Sequence, residues 1–137
     1  MNHVSHTLVA AALVLGALPL FGQQRQRISP HETVSLKTDS NRITLVYGRP
    51  YTKDPKTGEP RKIWGGLVPY DKVWRTGADE ATLYITQLPI DLGGTTVPAG
   101  AYTVFTLPAA DGKALLILNK QLGQWGVDPY NPKTELA

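Results

Sequence analysis

The chain has 137 residues, with 14 Lys plus Arg against 11 Asp plus Glu, 13 Gly, 11 Pro and no Cys. That length bounds it to a single domain, and Gly plus Pro at about 18% of residues exceeds the roughly 12% of average usage, so many turns and few long helices are expected. Collagen, coiled coil and acidic disordered tail are excluded, and the absence of Cys removes disulfides, thiolate nucleophiles, Cys-based zinc sites and iron-sulfur clusters.

Leu8 to Phe21 is a 14-residue run without a charge, followed by Gly22, Gln23 and Gln24. A membrane span needs about 20 apolar residues, so the run suits the apolar region of a secretory signal peptide, with cleavage near Gly22/Gln23. The expected organisation is a signal peptide helix over residues 1–22, a polar leader over 23–30 and a β-sandwich domain over 31–137. The expected location is therefore periplasmic or extracellular, with no stable membrane span after cleavage. Without disulfides, an exported domain of this size must rely on its core for stability.

Strand signals follow in chain order. Thr33–Lys37 and Ile43–Tyr47 alternate apolar and polar residues around the turn formers Asp39-Ser40-Asn41, which reads as a hairpin. Ala81–Leu88 is the next strand, ended by Pro89, which has no N–H to donate to a ladder. Ile90–Leu92 leads into Gly93-Gly94, a two-residue hairpin turn. Ala101–Leu107 and Ala114–Leu118 are apolar on both faces and read as interior strands joined through Asp111-Gly112. These elements imply an all-β antiparallel sandwich, jelly roll or small barrel.

The long segment over residues 48–80 interrupts this rhythm. It carries Pro50, Pro55, Pro60 and a glycine-rich aromatic stretch, and connections this long are more often functional than idle. Any site is expected here, with the segment closing one end of the sandwich.

At this segment the sequence resembles a bacterial family known as domain of unknown function 2911. The residues that carry the resemblance are Val46-Tyr47-Gly48-Arg49-Pro50, Arg61 through Tyr70, Val73 through Thr82, Val97 through Thr103, Asn119-Lys120 and Gln124-Trp125-Gly126. The resemblance implies an exported β-rich domain without an established activity. It also implies further strands beyond Ala137, so the chain reads as truncated, with an unpaired edge.

The chemistry is sparse. After signal removal His31 is the one remaining His, read as a solvent-exposed residue at the start of a strand, so no metal site is expected. No G-x-S-x-G frame, phosphate loop or dinucleotide fingerprint is present, and no cofactor is expected. Net charge of +3 without a basic stripe argues against nucleic acid. Asp79 and Glu80 adjoin a strand; if extended, they point to opposite faces and cannot alone flank one bond. Arg75 is expected to brace the loop through one of them. The candidate ligand-binding set is Arg49, Lys62, Trp64, Tyr70, Trp74, Arg75, Glu80 and Trp125, arranged as a concave platform of rings and cations. The alternative is that Trp64, Trp74 and Trp125 plug one end of the core.

The leading expectation is a non-catalytic or envelope-associated module that binds a glycan or an anionic small molecule. One alternative is a hydrolase or lyase using Asp79 or Glu80 with Arg75; another is a structural or assembly module.

Overall fold

The computed structural model describes residues 26–136, so the signal peptide expected over residues 1–22 lies outside the described residues. Seven strands follow: β1 His31–Lys37, β2 Arg42–Gly48, β3 Thr82–Thr86, β4 Ile90–Leu92, β5 Thr95–Val97, β6 Gly100–Pro108 and β7 Ala114–Asn119. A 3-10 turn over Pro132–Thr134 is the one helical element among the described residues. The all-β antiparallel class read from the sequence is therefore the observed one. Its two sheets are unequal, a five-stranded sheet in the order β1-β2-β3-β6-β7 and the two-stranded hairpin β4-β5.

Local chemistry explains the strand bounds. Thr38 and Asn41 close the first hairpin, with the Thr38 amide donating to the Asn41 carbonyl at 2.8 Å. Gly93 and Gly94 take φ of 61° and 86° in the second, the paired left-handed conformation that a two-residue hairpin requires. Asn41 also reaches across the sheet, its Oδ1 accepting from the amides of Gln87 and Leu88 where β3 ends.

The core lies on both faces of β6. Tyr84, Tyr102, Val104 and Leu118 form one face, and Val97 of the small hairpin, fully buried, packs onto them with Ile90. On the opposite face Phe105 and Ile117 pack with Val73, Leu107, Val127 and Tyr130. Phe105 is fully buried and meets the Tyr130 ring edge-on at 4.9 Å between centroids. Such burial contributes about 1.5–3 kcal/mol, and the edge-to-face contact adds to it.

The C-terminal stretch folds back along β7, where an unpaired edge was expected. Asn119 bridges Glu135, the Lys120 amide donates to the Thr134 carbonyl at 2.8 Å, and the Leu136 amide donates to the Leu118 carbonyl at 2.7 Å. Apolar anchors explain the docking, since Leu136 and Tyr130 each join a core cluster. The C-terminal half of the β7 edge is thereby covered, while Leu115 and Leu116 at its other end remain exposed.

The long segment rejoins the sheet at β6. Trp74 and Thr106 exchange both backbone hydrogen bonds, at 2.7 and 2.9 Å, and the Thr82–Val104 pair follows on the same edge. Residues 75–81 thus form an excursion from the line that β3 would otherwise continue. Its apex docks where β2 ends, the Ala78 amide donating to the Gly48 carbonyl at 3.1 Å. A Cβ at Gly48 would lie 2.2 Å from the Ala78 carbonyl oxygen. Gly48→Ala is therefore expected to destabilise the fold by about 1–3 kcal/mol, through overlap with backbone that cannot yield. A denaturant midpoint unchanged from wild type would show that the excursion does not sit against β2.

Candidate functional site

The 75–81 excursion is held by backbone bonds from three directions. Besides the Gly48 contact, the Ala81 amide donates to the Gln124 carbonyl at 3.0 Å and the Gly126 amide to the Asp79 carbonyl at 2.9 Å. The Thr82 hydroxyl closes the excursion's base by donating to the Thr76 carbonyl at 2.5 Å. Thr76 and Asp79 take φ of 51° and 61°. A β-branched residue in that region is strained by about 1–3 kcal/mol, which the surrounding bonds must sustain.

Arg75 leaves the excursion toward a cavity of about 310 Å³ whose walls include Tyr51, Lys56, Arg61, Trp74 and Asp79. Its guanidinium lies over the Trp74 ring, 4.5 Å from the centroid, a cation–π arrangement. Its Nε is buried without a hydrogen-bond partner among the described residues. Burial pushes the guanidinium pKa down, an effect opposed by the charge of Asp79. The two carboxylates in the cavity wall are held by the backbone. Asp54 accepts from the Lys56 and Thr57 amides at 2.8 and 3.2 Å, bonds that hold its carboxyl below its ordinary range. Asp79 accepts from the Ser29 amide at 3.3 Å.

Glu80 turns instead to a second cavity of about 290 Å³, floored by Val46, Leu83 and Ala101. Its Oε1 accepts from Arg27 Nε at 2.6 Å and lies 2.5 Å from Arg27 Nη2 in an ion pair, and its Oε2 lies 2.9 Å from His31 Nε2. Burial alone would push its carboxyl up, but the bonds from Arg27 and His31 and the charge of Arg27 hold it below its ordinary value. Asp79 Oδ2 is 3.9 Å from the same His31 nitrogen. The two carboxylates therefore converge on one imidazole and do not diverge as in an extended strand, because the left-handed backbone at Asp79 rotates its side chain.

These contacts correct several expectations. His31 stands at the start of β1 but is partly buried, with Nδ1 bonded to the Ser29 carbonyl at 3.0 Å. Arg75 forms no ion pair with Asp79 or Glu80 among the described residues; Arg27 takes the partner role at Glu80. The aromatic and basic set is not one platform. Trp64 and Tyr70 line a third cavity of about 360 Å³ with Pro108 and Lys113. Arg49 pairs with Glu32 at 3.0 Å, and Lys62 is exposed. Trp125 is half-buried and bridges Glu80 through the backbone. Trp64, 60% exposed, does not plug the core.

Arg27, Ser29, Lys56 and Tyr51 are site walls that no sequence pattern marks, whereas Arg61, a basic residue of the long segment, is a companion of the aromatic set that does line the Trp74–Arg75 cavity. Arg27 and Ser29 belong to an aperiodic leader, so no pattern marks them; His31 stands alone among ligand-type residues in sequence, and its Glu80 partner lies 49 residues away. Among the described residues no group of three His, Cys, Asp or Glu side chains could hold a metal ion. No helix of the described residues is long and apolar enough to cross a membrane.

Fold and site together define a small antiparallel β domain with a pinned loop excursion between two ligand-sized cavities. Residues 29–137 match the model of a family described as "Protein of unknown function (DUF2911)", and the chain belongs to that family. No curated protein and no solved structure gives a significant match.

Because the Glu80 carboxyl is depressed in the fold, its contribution is present above its ordinary 4.5 and is lost as pH falls through the lower folded value. Glu80→Gln should flatten the acid limb of a plot of Tm against pH, and should lower Tm near neutrality by about 2–4 °C, a modest figure because the pair is partly solvated. Thermal melts followed by circular dichroism check this; an unchanged acid limb would contradict it.

Proposed function

We propose that this chain is an exported, non-catalytic binding module that takes an anionic small molecule, one bearing a planar or sugar face, in the Trp74–Arg75 cavity. The observation that carries this reading is the half-buried Arg75, stacked on Trp74 with Nε left without a partner among the described residues. A buried donor without an acceptor is costly, and a carboxylate, sulfate or phosphate oxygen would satisfy it. Lys56 and Arg61 stand in the same wall, Arg61 with Nη1 donating to the Tyr51 carbonyl at 3.3 Å, and both acidic residues there accept from backbone amides. The Trp74 ring supports stacking against a planar or sugar face. Export rests on the uncharged run from Leu8 to Phe21.

A hydrolase or lyase using Asp79 or Glu80 with Arg75 is the weaker reading. Glu80 is held charged and saturated with donors, which suits it poorly to give a proton at neutral pH.

Calorimetric titration with phenyl sulfate, a uronic acid and a sulfated monosaccharide tests the proposal. Binding of at least one is expected, weakened about tenfold or more by Arg75→Gln, in line with loss of a charge-assisted hydrogen bond. Trp74→Leu should weaken it less. Absence of heat across the anion panel, with Arg75→Gln as stable as wild type, would sink the reading.

A further inference from the structure

Residues 27–31 form a strap between the two cavities. Ser29 lines the Trp74–Arg75 cavity, Arg27 and His31 line the other, and the strap's attachment to the excursion runs through Asp79 and Glu80. The geometry at His31 is unusual in what it demands of the ring. Nδ1 lies 3.0 Å from the Ser29 carbonyl oxygen, which can only accept, and Nε2 lies 2.9 Å from a Glu80 carboxylate oxygen, which when ionised can only accept. Both contacts are hydrogen bonds together only when both nitrogens carry a proton, as in the imidazolium. Either neutral tautomer turns one contact into two facing lone pairs at about 3 Å, the weak state of a hydrogen bond that has lost its proton.

We infer that His31 is a proton-controlled clasp that regulates the anion cavity. The inference rests on the binding reading above and adds its regulation. With the ring protonated, His31 binds Glu80, Arg27 grips the other Glu80 oxygen, and the Ser29 amide seats against Asp79, so the strap forms the cavity's wall. Loss of the proton leaves the ring a single donor, so it keeps one of its two contacts and gives up the charge that attracts Glu80 and Asp79, which loosens that wall. The charged groups facing the ring are Glu80 and Asp79 on the excursion and Arg27 on the strap. At the adjoining end of β1 and β2, Glu32 is occupied by Arg49 at 3.0 Å and by the Tyr47 hydroxyl at 3.3 Å, so no free charge there replaces Glu80 as partner.

The test uses the full chain and two readouts between about pH 5 and 8, the range in which imidazole groups change charge. The first is the backbone ¹⁵N heteronuclear NOE of residues 27–31, which needs no ligand. The second is affinity for phenyl sulfate, whose own charge is constant over this range. In the wild type the strap should lose order as pH rises, and affinity should fall by about fivefold or more, the lower end of typical coupling between sites. His31→Gln and Glu80→Gln should each show a loose strap and weakened affinity at every pH, with no pH step. A wild-type strap equally ordered at both ends of the range, or a His31→Gln variant that keeps the wild-type pH step, would overturn the clasp. A strap that responds to pH in a protein that binds no anion would uphold the clasp at His31 while overturning both the cavity's proposed function and its regulation.

Discussion

The close approach of Ala78 to Gly48 is the constraint on which the rest of the structure depends. Without a side chain at residue 48, the excursion can lie against the end of β2 with an amide-to-carbonyl bond of 3.1 Å. That contact sets the height of residues 75–81 above the sheet, and so determines where Arg75, Asp79 and Glu80 emerge. The reciprocal Trp74–Thr106 pair fixes one end of the excursion and the Thr82 hydroxyl its base. Left-handed backbone at Thr76 and Asp79 follows from forcing seven residues into so short a span, and the dense ring of backbone bonds is what allows that strain to persist.

Electrostatics then divide the labour among neighbouring side chains. Arg75 lies over Trp74 with its Nε unpartnered among the described residues, while Asp79 and Glu80 bend toward a common imidazole and Glu80 pairs with Arg27 of the strap. The consequence is a cavity wall in which Asp54 and Asp79 accept from backbone amides beside the Arg75 cation. Arg27 and His31 tie the strap to Glu80, while Arg75, its Nε buried without a partner among the described residues, lines the neighbouring cavity.

Much of the fold was legible because the strands carry their own local signals. Alternation in Ile43–Tyr47, the Gly93-Gly94 pair and the doubly apolar Ala101–Leu107 each map onto an observed element, since period and turn chemistry act within a few residues. The site was legible only in part. Trp74 and Arg75 stood out by type, but their separation from Trp64 and Tyr70 depends on long-range docking that no local pattern records. Arg27 meets Glu80 across 53 residues of sequence, and His31 meets it across 49. The C-terminal fold-back was hidden for the same reason: Tyr130 and Leu136 look like isolated apolar residues until β6 and β7 provide surfaces for them.

The central claim is that residues 74–81 are a rigid part of the sheet's end and not a free loop. Native-state amide hydrogen exchange measures this directly, because protection reports the free energy of opening at each bond. Slow exchange is expected at Trp74, Ala78 and Ala81, approaching that of the β6 amides, and faster exchange at the exposed turn amides of Asp39 and Ser40. Exchange at Trp74, Ala78 and Ala81 as fast as in that exposed stretch would contradict it.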